Sequence, residues 1–192
     1  MAKTTRKPQD ISEEVESVVV DEVYEEPQEE LQEEPMVNLD QQVTIKSIAT
    51  WNTGFARLLG VGDVSIPAKG SVRLTRNEVI SQIQNGNSLF NGIDGFGNHA
   101  TLLICDEPTK KYVGFEKAIQ FSDAAVKKIF DIYSQSEFES QLQNLIVTRA
   151  EKRALMASIR NQKLNDFSKI RFCEKYTGLS LDKLEQIEKE NR

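Results

Sequence analysis

Two groups of side chains in this sequence sit at spacings that suggest chemistry. Asp94 and His99 lie in Gly92-Ile-Asp94-Gly95-Phe-Gly97-Asn-His99, the most glycine-dense stretch of the chain. A carboxylate beside an imidazole is a minimal pair for general acid/base catalysis. No Ser or Cys stands in a nucleophile context such as G-x-S-x-G, and the glycines match neither a dinucleotide nor a phosphate-loop fingerprint. The stretch therefore reads as a hairpin or bulge loop in which glycine supplies positive φ angles. His99 reads as a loop or strand-start residue. With one His and two cysteines, Cys105 and Cys173, neither a disulfide framework nor a Cys/His zinc site can be assembled within the chain. Cys105, inside an apolar run, is expected to be a small buried hydrophobe. We assign no catalytic, cofactor-binding or metal-ligating residue and expect a non-enzyme without a cofactor.

The second group is basic. Arg149, Lys152, Arg153, Arg160, Lys163, Lys169 and Arg171 face only Glu151 and Asp166, a local charge of +5. Steps of three, four and seven keep Arg149, Lys152, Arg153 and Arg160 near one helical sector. Such a stripe suits phosphates without reading sequence, and it equally suits an acidic protein partner or a solvated helix face. The nearby aromatics Phe167, Phe172 and Tyr176 are spaced for packing, and no helix-turn-helix pattern is evident.

The elements that must position these groups follow from composition. The 192 residues carry a net charge of −6, but the charge is divided: residues 1–40 hold 3 basic and 13 acidic groups, whereas the remainder holds 21 basic and 17 acidic. No stretch approaches the roughly 18 uncharged apolar residues of a membrane helix, and an acidic run stands where a signal peptide would place its apolar core. Residues 25–36 repeat acidic pairs between Pro27 and Pro35, with too little apolar surface to offset ordering. We expect a disordered acidic arm over 1–40. Its apolar island, with Val15, Val18, Val19, Val20, Val23 and Tyr24, reads as a docking motif for a partner's sheet edge or groove. It also fits a solvated tail, or a tail that competes with a polyanion for the basic body.

The expected fold class is α+β, with a small, mostly antiparallel β module over 41–117 and an α-helical subdomain over 118–192. Val43, Ile45 and Ile48 mark a first strand. Asn52-Thr53-Gly54 is a turn signal, and Phe55–Val61 is a second apolar run. Val64–Ile66 and Val72–Leu74 are short strands joined at Pro67–Gly70. Thr75-x-x-Glu78 has capping-box spacing, so a helix is predicted over 76–85. Thr101–Cys105 and Tyr112–Phe115 are predicted as a strand pair around a Pro-containing loop, and Trp51 as an anchor of the β core.

Beyond Phe115 the apolar spacing becomes helical. One helix is traced by Ala124, Ala125, Ile129, Ile132 and Tyr133, with Ser122 as N-cap. Ser136-x-x-Glu139 and Thr148-x-x-Glu151 have capping-box spacing for the next two. Further helices are predicted over about 165–176 and 181–189, the latter capped by Ser180.

In organisation the chain resembles a small structural protein of a tailed-bacteriophage particle. It shares a charged arm, a compact β module carrying Ile66-Pro67-Ala68-Lys69-Gly70-Ser71-Val72-Arg73-Leu74-Thr75, and a helical extension. The resemblance implies a capsid-, connector- or tail-associated virion component that works through protein–protein contacts in a homo- or hetero-oligomeric assembly. It would be found in the virion and host cytoplasm; a cytoplasmic protein is expected otherwise. The alternative is a nucleic-acid-associated accessory protein that uses the basic 149–171 region. No membrane partner is expected.

Overall fold

The alternation Gln42-Val-Thr-Ile-Lys-Ser47 sends Val43 and Ile45 to one face and Thr44 and Lys46 to the other. In a computed structural model, which describes residues 37–182, this segment is β1 (Gln42–Ser47), with Val43 and Ile45 buried. It is followed by β2 (Thr53–Ala56), β3 (Asp63–Ile66), β4 (Ser71–Thr75), α1 (Arg76–Gln84), α2 (Ser88–Asn91), β5 (Leu102–Ile104) and α3 (Glu107–Tyr112). The helical part comprises α4 (Asp123–Phe130), α5 (Gln135–Leu145), α6 (Arg149–Asn161) and α7 (Phe167–Thr177). The fold is α+β: a small antiparallel β module followed by a helical subdomain.

β1 is the centre of an antiparallel sheet ordered β4-β1-β5, in which Ile45 lies opposite both Val72 and Ile104. β2 and β3 form a separate hairpin. Thus the strands on either side of Pro67–Gly70 are not partners, since β3 pairs with β2 and β4 with β1. Val43, Ile45, Val64, Ile66, Leu74, Val79, Phe90, Leu102, Ile104 and Phe115 form one apolar cluster. A second gathers Phe130, Phe138, Leu142, Ile146, Leu155, Met156 and Ile159, among others. Ile48 belongs to this second cluster, and Leu103 and Trp51 pack against it. Trp51 is therefore an anchor of the helical core, not the β core, with the Arg153 guanidinium 5.2 Å from its ring centroid.

Several expectations are corrected. Thr53 and Gly54 belong to β2 rather than to a turn, and the apolar run Phe55–Val61 divides, with Phe55 half-buried in the strand. β2 ends at Ala56, leaving Leu58, Leu59 and Val61 exposed in the β2–β3 loop. The glycine-rich stretch is not a hairpin, because it connects α2 to β5. Glu107–Tyr112 is helical, with Asp106 as N-cap and Pro108 in the first turn, where a missing N–H costs no helical bond. Tyr112–Phe115 is accordingly no strand, and β5 pairs with β1 instead. Cys105, one residue past β5, is exposed.

In the helical part, Ser122 caps α4 as expected, but the buried residues of α4 are Val126 and Phe130, and Tyr133 is fully exposed. α5 is capped by Ser134, whose hydroxyl accepts from Glu137 N–H, and not by Ser136. Buried Phe138 and Leu142 set its inner face. The helix expected over 181–189 lies almost wholly outside the described residues.

Candidate functional site

Two loops present large apolar side chains to water, and each is tied down by a carboxylate three residues after a threonine cap. In the first, Thr75 caps α1 by accepting from Glu78 N–H. Glu78 does not complete the capping box. Its Oε1 and Oε2 accept from Leu58 N–H at 2.9 Å and Leu59 N–H at 2.8 Å, while Gln82 donates to Oε1 and to Ala56 O. Burial would push the Glu78 carboxyl up. The hydrogen bonds from Gln82, Leu58 and Leu59, with Arg57 nearby, outweigh this and hold it below its ordinary value. The clamp fixes the backbone of a loop whose tips, Leu58, Leu59 and Val61, are 43%, 54% and 100% exposed.

In the second, Thr148 and Glu151 form a complete capping box at the start of α6. Glu151 Oε2 accepts from Val147 N–H, Thr148 N–H and the Thr148 hydroxyl at 2.8–3.0 Å. Oε1 reaches the glycine loop, 2.9 Å from His99 Nδ1. Both side chains are buried, at 0% and 7% exposure. His99 adopts φ +58°, a conformation that costs a non-glycine residue on the order of 1 kcal/mol or more. The Glu151 pairing and the bond from His99 N–H to Ile119 O hold it there. Within the loop, Gly92 at φ +68° has no room for a Cβ, which would lie 1.8 Å from Asn98 O. Asp94 accepts from Phe96 N–H and the Asn98 side chain, and these bonds keep its carboxyl below the usual range. The result is an internally bonded loop with Ile93 60% and Phe96 69% exposed.

Asp94 and His99 therefore bond different partners and make no acid/base pair: Asp94 shapes the loop tip, and His99 is committed to Glu151. Among the described residues no three His, Cys, Asp or Glu side chains converge as metal ligands. Burial pushes the Cys173 thiol up to about 12, so it stays protonated. No helix among the described residues is long and apolar enough to cross a membrane.

The basic residues are dispersed in their use. Lys152 Nζ is 4.7 Å from the Tyr176 ring centroid, and Arg153 covers Trp51. Lys169 is buried, donating to Phe130 O and pairing with Asp166 at 3.3 Å. Arg149, Lys163 and Arg171 are exposed and Arg160 is half-buried. Arg171 lines an open groove of about 830 Å³ between α5 and α7. The docking-motif residues Val15, Val18, Val19, Val20, Val23 and Tyr24 lie outside the described residues.

Sequence reasoning placed Glu78 and Glu151 in capping boxes, which holds for Glu151, but missed the loop tips and the bonds that both carboxylates make to distant loops. The signal was the repeated Thr-x-x-Glu followed by burial of the Glu, which spacing alone does not reveal. Comparison with protein-family models, curated proteins and solved structures returned no match.

Proposed function

We propose that this chain is a non-enzymatic assembly protein that contacts other protein subunits through the two anchored loops. The observation that carries the reading is the pairing of exposed Leu58, Leu59, Val61, Ile93 and Phe96 with loops fixed by Glu78, Glu151 and Asp94. Clustered exposed apolar side chains mark interaction sites. Holding them in one geometry before binding reduces the ordering cost of association. An aromatic such as Phe96 is the kind of anchor that dominates interface energy. The organisational resemblance to tailed-phage structural proteins supports a virion as the setting, with homo- or hetero-oligomeric partners.

The test is to produce the chain in its native setting and follow its incorporation into large assemblies by sedimentation. Val61→Ser with Phe96→Ser should leave the protein folded by circular dichroism and shift it from the assembled to the free fraction. Undiminished incorporation of the folded double variant would refute the reading.

A further inference from the structure

β4 is an edge of the three-stranded sheet: β1 lies on one side, and among the described residues no strand lies on the other. The direction of its main-chain groups follows from the register together with two bonds that extend the ladder, Ser47 N–H to Gly70 O and Arg76 N–H to Gln41 O. Val72 and Leu74 face β1, so Ser71 and Arg73 direct their N–H and C=O groups to the open side. Neither residue's main chain takes part in any turn or loop hydrogen bond among the described residues. Both are exposed, and between them Val72 is half-buried at the rim of the β-module cluster. No proline or glycine interrupts β4, so only charge guards this edge.

We infer that the β4 edge is a docking site for an extended strand from another chain, in which acidic and β-branched residues alternate. The open ladder supplies the main-chain bonds of strand addition, and side chains on alternate positions supply the selectivity. On the outer face the incoming strand meets exposed Arg73 on the adjacent strand, which an acidic residue complements; exposed Lys46, opposite Ser71 on β1, adds positive charge one strand further in. On the inner face it meets half-buried Val72 beside the apolar cluster, which a β-branched residue covers. A second copy's β4 is a poor occupant, because antiparallel pairing in full overlap sets Arg73 against Arg73. This site goes beyond the loop tips and does not depend on them.

The experiment titrates the isotopically labelled full chain with the capped peptide Thr-Val-Glu-Val-Glu-Val-Thr and with its counterpart carrying lysine in place of glutamate. Amide shifts and hydrogen exchange are read by NMR. The glutamate peptide should slow exchange at the Ser71 and Arg73 amides. Arg73→Glu should weaken that peptide roughly fivefold or more, equivalent to about 1 kcal/mol, and should bind the lysine peptide better than the parent chain does. Ser71→Pro removes an outward donor and should abolish the protection at Arg73. A saturating peptide that leaves both amides unprotected would overturn the site. So would a charge preference that Arg73→Glu does not reverse.

Discussion

Thr75-Arg-Asn-Glu78 and Thr148-Arg-Ala-Glu151 are near-identical sequence signals that end in different chemistry. Both threonines cap their helices, and both carboxylates are buried. Glu151 closes the capping box with one oxygen and holds His99 with the other. Glu78 leaves its box open and spends both oxygens on the β2–β3 loop. Thr75 is the last residue of β4, whereas Thr148 follows a short connection after α5. Local spacing therefore decides where a helix starts, and the neighbouring element decides what the carboxylate does there.

The sharpest break in this comparison is Glu151→Ala. It leaves His99 buried without its partner and strips the acceptor from two N–H groups, each loss worth about 1–3 kcal/mol, so urea unfolding should show the largest drop of the set. Amide exchange should accelerate around His99 and leave Leu58 and Leu59 unchanged. Glu78→Ala should cost less, about 1–3 kcal/mol, because its loop borders water. It should free the Leu58 and Leu59 amides without touching His99. Exchange that accelerates in both loops in either variant would show that the anchors are not independent.

A smaller effect appears on acidification. The Glu78 carboxyl lies below its ordinary 4.5 and that of Asp106 below 3.8; burial of Asp106 is outweighed by bonds from Thr109 and Arg76. The stability each contributes is complete above those ordinary values and is lost as pH falls through the lower folded-state values. Glu78→Gln should flatten the fall of unfolding free energy below pH 4.5 relative to the parent chain; an unchanged slope would count against the clamp. Smallest of all in stability is Val61→Ser, expected within about 0.5 kcal/mol of the parent while assembly is weakened. A large loss of stability would mean that Val61 is not the free tip described above.

Much of the architecture was legible because helix starts are written locally. Thr75, Ser122 and Thr148 cap the helices expected of them, and the alternation of β1 gives its buried face. Other features depend on distant neighbours. Pro108 suggested a loop, yet in a first helical turn its missing N–H is harmless. The apolar run Phe55–Val61 carried no mark of which side chains face water, and Leu58, Leu59 and Val61 are the exposed tips. Ser134 and Ser136 offer competing caps, and burial of Phe138 and Leu142 fixes the frame. Trp51 follows a strand in sequence but rests on the helical cluster. For the site, sequence reasoning drew attention to the glycine loop and His99 and placed Glu151 in a capping box, but it could not show the bond between His99 and Glu151, 52 residues apart.

The proposed function makes the two carboxylate-anchored loops the surfaces on which other subunits close. Hydrogen exchange of the full chain, alone and within its assembly, tests it most directly. Assembly should add protection across residues 57–62 and 93–97, with Glu78→Ala losing the first and Glu151→Ala the second. Assembly that leaves exchange in both loops unchanged would contradict it.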